Sequence, residues 1–170
     1  MESGVAIERL WAGWRSQYLR DVTDPARSPG ECVMCGLAGA TDDDEAFVVA
    51  RGEHAFVALN AYPYTSGHVM VVPVRHEGQL ELLAPAEAGE VMGLTQWAIA
   101  ALKRAYRPEG INVGMNLGAA AGAGIPGHLH VHVLPRWHAD TNFMTAVAEA
   151  RVLPESLSET LERLRAARDA

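Results

Sequence analysis

The sequence has no stretch approaching the roughly 18 consecutive apolar residues that a membrane span requires. Its first residues, MESGVAIERLW, lack the basic start and apolar run of a secretion signal. Both absences predict a cytoplasmic protein with no membrane partner. Cations are outnumbered, with 14 Lys and Arg against 21 Asp and Glu, a net charge of −7 and a pI near 5.4. That balance excludes a broad electrostatic grip on nucleic acid, so local groups must hold any anionic ligand. Cysteine is scarce too: Cys32 and Cys35 form a single CxxC, too few and too close for a secreted disulfide framework. There is no internal repeat and no linker long enough to divide the chain. What remains is 170 residues, 49% apolar and 21% charged, with mean hydropathy −0.01. These values predict one globular domain over 1–170 with a sizeable core. Within it, 1–30 form an N-terminal extension, 31–145 the core and 146–170 a C-terminal helix.

The chain reads as an α+β alternation. Residues 5–20 carry Trp11, Trp14 and Tyr18 at spacings that suit packing on the main body, and the Pro-, Gly- and Asp-rich stretch after them delivers the CxxC on a loop. The run Asp42 to Glu45 is a solvated turn, because adjacent carboxylates point apart and no EF-hand spacing follows. AFVVAR, the turn at Gly52 and Glu53, and HAFVAL predict a hairpin, and HVMVVPV predicts a third strand that Pro73 marks as an edge or a strand end. Pro85 opens a long helix whose acidic start (Glu87, Glu90) and basic finish (Lys103, Arg104, Arg107) match the helix dipole. Its core stripe is Val91, Thr95, Ala98, Ile99, Leu102 and Tyr106. INVGMNL and HLHVHVLPRW predict two more strands. Pro154 opens a last helix to about Arg168, with Leu157, Leu161 and Leu164 inward.

Three of the seven histidines, His128, His130 and His132, occupy every second position of the last strand. A random scatter would produce such a triplet with a chance on the order of one in a hundred. On a strand they share one face while Leu129, Val131 and Val133 share the other. Imidazoles are poor packing material, since each needs hydrogen-bond partners when buried. Such a row either binds zinc or sets one neutral imidazole to attack phosphorus beside hydrogen-bonding neighbours. The loop before it favours phosphate. Gly118, Gly122, Gly124 and Gly127 let backbone N–H groups approach an anion, Asn116 adds an amide, and Arg136 and Arg75 supply charge. For the CxxC, a zinc site completed by His76 and His128 stands beside two alternatives, a redox pair or free thiols.

His128-Leu-His-Val-His-Val-Leu134, continuing into Pro135-Arg136-Trp137, resembles the signature of the histidine triad family. AFVALNAYPYTSGHVMVVPVRH resembles that family's paired strands and nucleotide-contacting loop, and the likeness covers most of 31–145. Leu10-Trp11-Ala-Gly-Trp14-Arg15 and the stretch from Pro135 to Phe143 resemble the branch with bacterial diadenosine tetraphosphate phosphorylases and dinucleoside polyphosphate hydrolases.

The resemblance implies a five-stranded antiparallel sheet with a long central helix, paired into a homodimer. It also implies nucleotidyl transfer through a covalent intermediate on the middle histidine, His130. The catalytic set it implies is His130, His132 and His68, and the nucleotide- and phosphate-binding set is Asn60, Asn116, Gly122, Gly124, His128 and Arg136. Zinc would sit, structurally, on Cys32, Cys35, His76 and His128. His54 and His138 match no motif position and are expected at the surface or behind the site. The chain departs from the family just before the triad, where Gly124-Ile125 replaces a Gln followed by Ser or Thr, so phosphate contacts there fall to backbone N–H groups. The implied substrate is an adenine dinucleotide, with inorganic phosphate favoured over water as second acceptor. Alternatives are a purine nucleoside phosphoramidase, a general nucleotide hydrolase of the same family, and a noncatalytic, zinc-stapled nucleotide-binding protein.

Overall fold

The structure is a computed structural model and describes residues 32–138, 140 and 155–167. The N-terminal extension with Trp11, Trp14 and Tyr18, and the stretch 141–154, lie outside the described residues. Among the described residues, besides two short 3-10 turns, the α-helices and strands follow in the order α1 (Val33–Ala38), β1 (Val48–Arg51), β2 (Ala55–Leu59), β3 (Val69–Pro73), α2 (Pro85–Tyr106), β4 (Gly110–Gly114), β5 (Val131–Arg136) and α3 (Leu157–Ala166). The strands make one five-stranded sheet in the order β1-β2-β3-β5-β4, and every adjacent pair is antiparallel. The fold is the expected α+β arrangement. Among the described residues no helix is long and apolar enough to cross a membrane.

Strand alternation gives the sheet two different faces. Odd-numbered residues of β2, β3 and β5 (Val57, Leu59, Val69, Val71, Val131 and Val133) meet α2 and α3 in the larger core. The α2 stripe falls where its spacing puts it: Val91, Thr95, Ala98 and Leu102 are buried, with Ile99 and Tyr106 packed at the margin. Leu161 and Leu164 bring α3 onto the same core, with Leu157 beside them. Even-numbered residues (Phe56, Ala58, Met70 and Val72) face the other way and receive Cys32 and Met34 of the α1 segment. His132 pairs with Met70 across β3 and β5, which places it on this second face.

Of the two places expected for Pro73, an edge or a strand end, it takes the second: β3 is the middle strand, and Pro73 ends it beyond the β3–β5 ladder, which spans Val69 to Val71, so its missing N–H costs no pairing there. Two sequence expectations need correction. The histidine strand starts late, at Val131, because the preceding backbone bonds elsewhere. The His128 N–H donates to the Ile125 carbonyl (3.2 Å) and the Leu129 N–H to the Glu77 carbonyl (2.7 Å). The fourth strand stops at Gly114, opposite His132, and Met115 to Leu117 run on without a ladder.

Candidate functional site

His128 and His130 are almost wholly buried, at 0% and 5% exposure, so every ring nitrogen must be accounted for. The His130 Nδ1 lies 2.9 Å from the His128 carbonyl oxygen. A carbonyl only accepts, so Nδ1 carries the proton and Nε2 keeps its lone pair. Burial pushes the His130 imidazole below its ordinary pKa, against the pull of that carbonyl, and favours the neutral ring. A neutral imidazole with a fixed tautomer and a lone pair on Nε2 is a nucleophile in waiting.

His132 takes the opposite tautomer through a relay. The Tyr64 N–H donates to His68 Nδ1 (3.1 Å), so the His68 proton sits on Nε2. That Nε2 lies 2.9 Å from His132 Nδ1 and donates to it, which leaves the His132 proton on Nε2. The rings of His130 and His132 stand edge to face with centroids 4.9 Å apart. One row therefore presents a lone pair and a proton donor side by side. Tyr64 packs on both His68 and His132, and the Asn60 amide nitrogen lies 3.3 Å from His68 Nδ1 while its carbonyl oxygen accepts the Tyr62 N–H. His68, at 1% exposure, is thus a built part of this cluster. The Tyr64 backbone donor carried no signal in the sequence, because any residue supplies an N–H.

The loop residues are distributed differently from expectation. Asn116 reaches across the glycine-rich loop and donates to the Gly122 carbonyl (3.3 Å). Gly122 has φ +89°, a conformation that disfavours a side chain, and its N–H is given to the Ala119 carbonyl, so its part in the loop is a bend. Gly124 lies between that bend and the triad. The two arginines expected to bring charge are both engaged by carboxylates. Arg75 pairs with Glu87 (2.8 Å) and Glu77 (3.2 Å), and Arg136 makes two bonds to Asp140 and one to Asn112. The Arg75 guanidinium ties the end of β3 to α2, and that of Arg136 ties β5 to β4 and to Asp140. His54 is half-buried beside Glu53, and His138 is exposed.

On the far side of the triad, the Nδ1, Nε2 or Sγ atoms of Cys32, Cys35, His76 and His128 all lie within 4.8 Å of one another. His128 Nε2 donates to the Pro73 carbonyl (2.8 Å), which turns its Nδ1 lone pair toward the Cys32 and Cys35 sulfurs at 3.4 and 3.6 Å. His76 Nδ1 lies 3.2 Å from Cys35 Sγ. With Zn–S near 2.3 Å and Zn–N near 2.0–2.1 Å, the sulfur–nitrogen edge of a tetrahedral site is about 3.6 Å. The three separations, 3.2, 3.4 and 3.6 Å, lie at or just below that value, so the donor set fits a small tetrahedral cation. Burial, with the neighbouring Cys32, pushes the Cys35 thiol up to about 11, and a cation would oppose that shift. Gly78 makes the cluster possible: a Cβ there would stand 2.5 Å from the Pro126 carbonyl, so only glycine lets the His76 loop lie against the loop before His128.

The HIT domain family matches residues 41–139. The AP-4-A phosphorylase of Mycobacterium tuberculosis is 43% identical over 157 residues, covering 91% of this chain and 80% of that protein. The asymmetrical bis(5'-nucleosyl)-tetraphosphatase of Schizosaccharomyces pombe is 34% identical over 82 residues, 48% of this chain and 44% of that protein. Among solved structures, a Zn-bound histidine triad family protein from Mycobacterium smegmatis superposes with a TM-score of 0.67 at 26% identity, covering 84% of this chain and 96% of that one. The matched segment contains the whole sheet, the histidine row and its relay, and on that ground the chain belongs to the histidine triad family.

Proposed function

We propose that the protein transfers a nucleotidyl group from a dinucleoside polyphosphate, as a diadenosine tetraphosphate phosphorylase. The observation that carries this reading is the pair of opposed tautomers, with a lone pair on His130 Nε2 and a proton on His132 Nε2. The extensive likeness to the M. tuberculosis AP-4-A phosphorylase supports the substrate. His130 Nε2 attacks the α-phosphorus of diadenosine tetraphosphate and forms a P–N bond. The bond from that phosphorus to the bridging oxygen breaks, and ATP departs. His132 and the Gly124 region stabilise the developing charge, with Asn116 holding the loop and Asn60 positioned for the ribose. Inorganic phosphate then attacks adenylyl-His130, which restores the histidine and yields ADP. His68 acts by fixing the His132 tautomer. The His128 carbonyl does the same for His130.

Zinc is the metal we assign to Cys32, Cys35, His76 and His128, supported by the donor set and by the Zn-bound relative. Four protein ligands leave no open position, so the ion would supply a structural staple. Reduced thiols at that site suit a cytoplasmic setting. A homodimer is supported by β4, an end strand on which Val113 is 48% exposed, with Leu117 beyond it at 45%.

The test is to incubate the protein with diadenosine tetraphosphate, with and without phosphate, and resolve the products, using His130→Ala as control. ADP that appears only with phosphate supports phosphorolysis, and AMP in its place would reassign the acceptor to water. Turnover undiminished in the variant would overturn the mechanism.

A further inference from the structure

Arg51, the last residue of β1, points its guanidinium at the segment that carries the cysteines. Nη1 donates to the Ala38 carbonyl (2.9 Å), and Nη2 donates to the carbonyls of Leu37 (2.9 Å) and Ala40 (3.2 Å). Nε donates to Asp43 (2.8 Å), and the guanidinium lies over Phe56, 5.7 Å from its centroid. Leu37 and Ala38 end α1, whose first turn holds Cys35 and whose N-cap is Cys32. A six-residue helix is too short to hold itself together in water. Its described anchors to the sheet are the packing of Cys32 and Met34 against Phe56, Val72 and their neighbours, with Cys35, Leu37 and Ala38 at the margin of that cluster, and the polar bonds of this arginine, which hold its carbonyl end. His76 and His128, by contrast, stand on segments fixed by β3, β5 and the contact at Gly78.

We propose that Arg51 is a positioning residue for the metal site: by clamping the carbonyl end of α1 it holds Cys32 and Cys35 at ligand distance from His76 and His128 before any ion arrives. This rests on the metal reading above. The planar fork meets three carbonyls and a carboxylate at once, a task the point charge of lysine cannot perform. Through His128, the same clamp reaches the catalytic row, because the carbonyl that sets the His130 tautomer belongs to that residue.

The experiment measures Zn2+ affinity of the full chain by competition with a chromophoric chelator, and the visible ligand-field bands of bound Co2+, for wild type, Arg51→Met, Arg51→Lys and Glu90→Gln. Glu90 accepts the Glu53 and His54 N–H groups at the β1–β2 turn, so its variant loosens the same hairpin without touching α1. Arg51→Met is expected to weaken Zn2+ binding about 10- to 100-fold and to broaden the Co2+ bands, the usual scale for removing a group behind a ligand. Arg51→Lys should fall between it and wild type, and it serves alone if the methionine variant does not fold. Glu90→Gln should bind as wild type does. Binding by Arg51→Lys and Arg51→Met within twofold of wild type, or an equal loss in Glu90→Gln, would overturn the role of Arg51 and leave the metal site standing. A wild-type protein that binds neither ion would overturn the metal site itself, and the clamp with it.

Discussion

His132 is a proton donor because of a residue 64 positions away in the chain, and this dependence can be measured. His68→Ala and His132→Ala should each lower kcat about 10²-fold or more while leaving the fold intact by circular dichroism. The double variant should be no slower than the worse single one, since both changes remove one donor. Multiplicative losses would show that His68 acts apart from His132. The histidine row was legible in the sequence because spacing alone puts alternate residues on one side. Its tautomers were not, because they depend on carbonyl and N–H groups of Pro73, His128 and Tyr64, which any residue could supply. Arg75 and Arg136 show what a sequence leaves out. A cation near a phosphate site invites a binding role, but the chain does not say that Glu87 and Asp140 fold back onto those guanidinium groups.

At the scale of elements, α2 is joined to the metal side of the sheet by the Arg75–Glu87 pair. The hydrogen bonds from Arg75, and then the Ala84 N–H, hold the Glu87 carboxyl down at about 2, against an ordinary 4.5. The folded pKa is depressed, so this contribution to stability is fully present above about pH 4.5 and is lost as pH falls toward 2. Glu87→Gln should therefore lower Tm at pH 7, and its gap from wild type should close as the pH is taken from 5 to about 2. A gap independent of pH in thermal melts would mean that the pair does not report on folding. Gly78→Ala makes a second prediction, because its methyl group would meet the Pro126 carbonyl. The two loops must separate, so zinc affinity should fall along with Tm, as read by chelator competition. The helices were legible from their stripes and, for α2, from Pro85; the last helix begins at Leu157 behind the capping Ser156, while Pro154, expected to open it, lies outside the described residues. The short α1 was not legible, since six residues offer too few turns for a period to show.

Among the described residues, one face of the sheet carries two candidate functional layers, a metal staple at one end and the histidine relay next to it, with His128 in both. If zinc binds only the folded chain, adding it at about a hundred times its Kd should stabilise the protein by about 2.7 kcal/mol. For a chain of this size that is roughly 5–10 °C in Tm, and chelation should reverse it. The exposed end strand makes a further claim. Sedimentation should give two chains per particle, and Val113→Lys on β4 should give one, since a charge there opposes pairing of apolar edges. A wild-type monomer would refute the dimer without touching the chemistry.

The chemistry itself rests on one covalent bond. Mixing the protein with diadenosine tetraphosphate in the absence of phosphate, quenching within milliseconds in alkali and measuring the intact mass tests it directly. The account predicts a gain of one adenylyl group, mapped to His130 after digestion and absent from His130→Ala. Complete conversion of substrate with no adenylylated protein at any time would contradict it.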